Sequence, residues 1–418
     1  MFELLSNTDN NVRESSSETA TASDKYLAFL KSRCLGCHAT SHPNEQKTSP
    51  SGLNENAWSD GVGCESCHGA AGGWVAEHTT SRWSDAERKN LARWGMLDTK
   101  SMAGRAAVCV ECHVGPRRTT SQDQIAVDHD LIAAGHPRLL FELNTYLSNL
   151  PSHWDVSRDI RRHEQAHSPQ SFHFDTWRVG QWQTAIQLSD HLADGLSSAA
   201  VGKPAAAIDF ANFECVACHH KLKPRSIRVD SQSVAAKVPL RLASSPFDGI
   251  QILLHSSKDP MLNILSQDVR ALSKNVQRSS PDSSQSAQHC TALARRLREV
   301  ADRGAVEPFT AVERQEILLQ LANQLDDEDY ASWERAMQFY LAIRACLDDL
   351  TAPHQHERLR KHASALFMHL DSRFHNLPTP TIYDSPDAFD PKDPEYVRLI
   401  HAILLDLKQS VESKVAGE

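Results

Sequence analysis

Four stretches of the chain repeat one arrangement of cysteine and histidine. They are Cys34-Leu-Gly-Cys37-His38, Cys64-Glu-Ser-Cys67-His68, Cys109-Val-Glu-Cys112-His113 and Cys215-Val-Ala-Cys218-His219. Paired thiols two residues apart suit a zinc site, a redox disulfide or the covalent anchoring of haem. Zinc and disulfide chemistry have no need of a histidine directly after every pair. Haem attachment does: each thiol forms a thioether with one vinyl group, and the following imidazole binds iron from the proximal side. On this reading Cys34, Cys37, Cys64, Cys67, Cys109, Cys112, Cys215 and Cys218 anchor four covalently bound haem c groups. His38, His68, His113 and His219 are the proximal ligands.

The sixth position on each iron decides what a haem can do. A second histidine there gives a saturated electron carrier, and an open position admits a small molecule. Residues 24–225 hold 14 of the 22 histidines, eight of the ten cysteines and seven of the eight tryptophans. Beyond the four proximal histidines this leaves His42, His78, His129, His136, His153, His163, His167, His173, His191 and His220.

Three of these stretches, GVGCESCHGAAGGWVAEH (61–78), DHDLIAAGHPRL (128–139) and FECVACHH (213–220), resemble the multihaem cytochrome family related to cytochrome c-554. The resemblance runs from Asp24 to Arg225, is strong at the motifs and is looser between them. It implies a mostly helical haem region with little sheet, haems packed in close pairs, and irons held mostly between two histidines. His78 and His136 match positions expected to supply distal ligands, and His129 is the third candidate. His153 is a weaker candidate, His42 and His173 are weaker still, and His220 reads as a surface or propionate contact. Locally, Gly69, Gly72 and Gly73 have no side chain to keep backbone from a macrocycle, and Trp74 is expected to pack against the porphyrin, in the protein core, or both. Arg105, Arg117, Arg118 and Arg138 are candidate partners for propionates.

The elements that must position these groups read unevenly. The haem-bearing stretch shows little periodicity, as expected if cofactor substitutes for side-chain core. One porphyrin buries several hundred Å² of apolar surface, worth on the order of 10 kcal/mol. From Leu240 onward the pattern is helical: Leu293, Leu297 and Val300, then Leu318, Leu321 and Leu325, then Trp333, Met337 and Tyr340, then Val397, Ile400, Leu404 and Leu407. The expected organisation is a polar tail (1–23), a tetrahaem domain (24–228) and a bundle of five or six helices without a cofactor motif (240–418). The fold class is mainly α, with many loops in the haem domain. Ser279–Ser286 and Asn376–Pro394 read as loops. His354, His356, His362, His369 and His375 read as a solvated helix face rather than a metal site. Cys290 and Cys346 read as either a disulfide or two buried thiols.

A net charge of −9 argues against nucleic-acid binding. No apolar run reaches the ~18 residues of a membrane span. Haem is attached to such motifs outside the bacterial cytoplasm, so a periplasmic or other extracytoplasmic location is expected, although the polar first 23 residues show no readable signal peptide. The leading expectation is electron transfer between redox protein partners, or to and from a membrane quinol-linked complex. The alternatives are an enzyme acting on nitric oxide, hydroxylamine or nitrite at one open haem, and a relay subunit of a larger respiratory complex.

Overall fold

The computed structural model describes residues 34–40, 61–80, 83, 90–115, 127–139, 141–166, 170–200, 209–213, 247, 249, 250, 253, 264, 265, 267–269, 271, 272, 283–302, 309–325, 333–349, 357–371 and 392–415. Every regular element among them is helical, so the fold is mainly α. The chain divides into two compact units, residues 1–126 and 127–418. This division falls at 126/127, whereas the motifs suggested one between 228 and 240.

The first unit is short on side-chain core. It holds α1 (Leu35–His38), α2 (Cys64–His68) and α3 (Met102–His113), with 3-10 turns at Ala71–Gly73 and Leu91–Trp94. Its buried apolar side chains, among the described residues, are Ala39, Trp74, Ala106 and Val110. Ser101 caps α3 by accepting from Gly104 N at 3.0 Å, which satisfies one of the orphan donors of a helix start.

The second unit begins with α4 (His129–Ala133), α5 (Leu143–Asn149), α6 (Val156–Ala166) and the long α7 (Phe172–Ala200). It continues with α8 (Ser283–Asp302), α9 (Ala311–Leu325), α10 (Trp333–Asp348), α11 (Glu357–Asp371) and α12 (Pro394–Val415). Helices α9 to α12 pack in sequence and α12 closes back on α9, a four-helix bundle. Helix α7 lies along α8 and also touches α5 and α10. That packing is why residues 127–213 belong with the bundle: α7 buries Phe174, Trp177, Trp182, Ile186, Leu192 and Leu196 in the same core as α8. Trp182 Nε1 donates to the Leu297 carbonyl of α8 at 2.9 Å. Gly180 permits the crossing with α5, since a Cβ there would lie 2.7 Å from Leu143 Cβ.

The apolar stripes read from the sequence face this core. Leu293, Leu297, Val300, Leu318, Leu325, Met337, Ile400, Leu404 and Leu407 are buried, and Leu321, Tyr340 and Val397 pack against them. Two expectations change. Helix α8 starts at Ser283, inside the stretch read as a loop, because Ser286 and Ala287 already belong to its buried face. His362 and His369 are not a solvated face. His362 Nδ1 lies 2.7 Å from Asp406, and His369 Nε2 lies 3.4 Å from Asp393, so both pair α11 with α12 or its entrance. His354, His356, His375 and most of Asn376–Pro394 lie outside the described residues. Cys290 and Cys346 are separate buried thiols, and burial pushes the Cys290 thiol up to about 12.

The start of α7 carries a buried polar network. Asp349, just after α10, accepts from His173 N at 2.8 Å and Phe174 N at 2.9 Å, and so caps α7 from another helix. Arg314 stands 3.8 Å from it and donates to the Gln170 carbonyl at 2.6 Å. Asp175 binds His163 and Arg178, each at 2.9 Å. Burial raises the Asp349 carboxyl from 3.8 to about 7, against the pull of the two N–H groups and Arg314. Between these two values the folded chain holds a proton that the unfolded chain has released. Stability therefore falls as pH rises through that window. Asp349→Asn should flatten this slope, measured as denaturant midpoints of the second unit's helical signal at pH 5 and pH 8.

Candidate haem-attachment centre

Each motif the structure describes sits on one helical turn that ends at its histidine. Cys34 precedes α1, which ends at His38; α2 runs from Cys64 to His68; Cys109, Cys112 and His113 form the last turn of α3. Positions i, i+3 and i+4 of a helix share one face. The turn therefore presents both thiols and the imidazole side by side, as a single macrocycle requires. The fourth motif, with Cys215, Cys218 and His219, lies outside the described residues, as do His42, His167, His220, Arg117 and Arg118.

The first unit gathers its three motifs. Helices α1 and α2 both pack on α3. Cys37 Sγ reaches the Cys112 carbonyl at 3.9 Å, and its thiol also pairs with that of Cys112. This contact lowers the Cys37 thiol, against burial, and raises that of Cys112. Burial pushes the Cys109 thiol up to about 11. Burial and the nearby His38 hold His113 below the ordinary imidazole range, so it stands as a neutral lone-pair donor.

The surroundings of the second motif are the most complete. His68 Nδ1 meets Thr99 Oγ1 at 3.1 Å, and the Thr99 carbonyl accepts from Arg105 Nε of α3 at 2.5 Å. A hydrogen bond at Nδ1 orients the ring and leaves Nε2 for iron. The His68 carbonyl accepts from Leu97 N at 2.9 Å. Thr99 has no sequence signature, and only the turn 95–101 brings it to His68. Arg105 is thus engaged with the Thr99 and Lys100 carbonyls.

His78 follows the same logic. Its Nδ1 lies 2.8 Å from the Val75 carbonyl, which makes Nδ1 the protonated nitrogen and Nε2 the lone-pair donor. Trp74 stands between His68 and His78, edge-on to both, at 6.1 Å and 5.4 Å. Two of the glycines have a packing role of their own. A Cβ on Gly69 would meet the Gly95 carbonyl at 2.5 Å, and one on Gly73 the Trp94 carbonyl at 2.8 Å, so both let two backbones close together. Gly72 has nothing within 4 Å.

In the second unit the remaining candidates separate. Asp209 Oδ1 accepts from His129 N at 2.8 Å and from Ala211 N at 2.7 Å, clamping α4 to the turn Phe210–Asn212. The His129 ring meets Phe210 edge-on at 5.9 Å. Arg138 donates to the Phe213 carbonyl at 3.1 Å and pairs with Glu334 at 2.7 Å. His136 Nδ1 lies 2.7 Å from the Pro137 carbonyl, again placing the proton on Nδ1. The segment 128–138 is therefore stitched to Asp209–Phe213, which leads directly into Cys215. His153 is exposed and edge-on to Trp154. His173 instead hydrogen-bonds Asn144 at 2.9 Å. Asp209 was another residue the sequence did not single out.

The residues fit haem by their chemistry. The second motif carries exposed thiols, and Val62, Val75 and Leu97 beside it are 58%, 53% and 44% exposed, an apolar surface suited to a porphyrin. Trp74 Nε1 is buried without an acceptor. Residues 3–69 match the family model described as cytochrome c554 and c-prime. This segment is similar to the cytochrome c-554 family. The matched segment holds the first two motifs, and its likeness is to c-type cytochromes, which carry electrons on covalently bound haem. No curated protein and no solved structure matches the chain. Among the described residues, no helix is long and apolar enough to cross a membrane.

If the close approach at Gly69 positions the second motif, Gly69→Ala should lower the yield of fully loaded cytochrome, because φ is +78° there and the Gly95 carbonyl cannot yield. Gly72→Ala should load like the parent. Haem per chain, from pyridine haemochrome absorbance, compares the two.

Proposed function

We propose that this c-type cytochrome is an extracytoplasmic tetrahaem electron carrier. The observation that carries the reading is the gathering of three CxxCH turns in one compact unit, with Cys37 against Cys112 and His38 near His113. Bound haem c supplies a one-electron ferric–ferrous couple at each motif.

The chain's own residues divide the remaining work. Cys34, Cys37, Cys64, Cys67, Cys109, Cys112, Cys215 and Cys218 anchor. His38, His68, His113 and His219 ligate from the proximal side. Thr99, held by Arg105, orients His68. His78 and His136, each with Nδ1 turned to a carbonyl, are proposed distal ligands through Nε2, and His129 is a third. His153, edge-on to Trp154, is a fourth proposed ligand. Anchors on turns that pack together bring cofactors close enough for rapid electron exchange, and paired histidine ligation keeps substrate off the iron. Redox proteins or a membrane quinol-linked complex are the proposed partners.

A reductive titration tests this. The carrier should take up four electrons per chain, with ferric spectra that stay low-spin when nitric oxide or cyanide is added. A high-spin fraction that binds either ligand would move the reading to an enzyme.

A further inference from the structure

Trp74 is only 5% exposed, yet its indole N–H finds no acceptor. Buried donors in folded proteins are almost always paired, and a tryptophan is usually buried where its N–H can be met. The ring is held between His68 and His78, edge-on to both. Its position is set by the 3-10 turn Ala71–Gly73, and Trp74 N itself donates to the Ala71 carbonyl at 3.1 Å. Neither imidazole answers the N–H. The Nδ1 side of His68 is engaged with Thr99 and that of His78 with Val75. Among the described residues the buried donor thus has no acceptor.

We propose that Trp74 Nε1 donates a hydrogen bond to a propionate of a haem packed beside His68 and His78. This rests on the haem reading above. A haem c offers few other acceptors, because its four pyrrole nitrogens bind iron and leave the two propionate carboxylates. A donor to an ionised carboxylate makes the stronger, charge-assisted kind of hydrogen bond. Trp74 is then a positioning and tuning residue rather than a ligand. Its N–H offsets part of the propionate's negative charge, which otherwise favours the ferric state. The donor thus raises that haem's potential.

The test uses the full-length, haem-loaded protein with Trp74→Phe, and in parallel Trp74→3-benzothienylalanine, which keeps both fused rings and puts sulfur in place of N–H. Haem per chain is measured first, then the midpoint potentials by spectroelectrochemistry. The expected result is an unchanged haem count with the potential of one haem lowered in both variants and the others held. Potentials that stay unchanged or rise in the isosteric variant, at full haem content, overturn the proposal. A parent protein without haem would instead overturn the function on which it rests. If Trp74→Phe fails to load, the isosteric variant alone decides, since it preserves the packing between His68 and His78.

Discussion

One helical turn carries the chemistry of this protein. A helix brings residues i, i+3 and i+4 to one face, so Cys-x-x-Cys-His wound into a turn offers two sulfurs and an imidazole to one side. The three described motifs all adopt that turn, and each ends at its histidine. The rest of the first unit reads as support for those turns. Helices α1 and α2 lean on α3, the turn 95–101 presents Thr99 to His68, and Gly69 lets the backbone of Gly95 come close.

The two units meet the cost of folding by different means. The second buries a continuous apolar core from Phe174 to Leu407, with its polar cluster at the start of α7 held by Asp349, Arg314 and Asp175. The first buries few apolar side chains among its described residues and leaves Val62, Val75 and Leu97 exposed beside the second motif. A covalently tethered porphyrin suits such a unit, because it brings apolar area that the polypeptide lacks. The orphaned Trp74 N–H belongs to the same pattern: both the apolar surface and the polar donor are completed by a cofactor.

What was legible in the sequence follows from these physics. Anchors and proximal histidines were readable because the chemistry demands fixed residue types at fixed spacing. The helices of the second half were readable because Leu293, Leu297 and Val300 repeat at the helical period. Thr99 and Asp209 were not, since their roles depend on one hydroxyl and one carboxylate delivered by turns that have no compositional mark. The unit boundary at 126/127 was hidden for a related reason. Motif chemistry runs on to His219, while the packing of α7 already belongs to the bundle. Gly69 and Gly73 each face another stretch of backbone, which spacing cannot reveal.

Covalent attachment of haem to the Cys-x-x-Cys-His turns is tested most directly by one measurement. Intact-protein mass spectrometry in denaturing acid strips away any group held only by coordination or packing. The expected mass exceeds that of the polypeptide by four haems, one for each motif in the sequence. A mass equal to the bare polypeptide, with a metal ion or free haem released into solution, would contradict it.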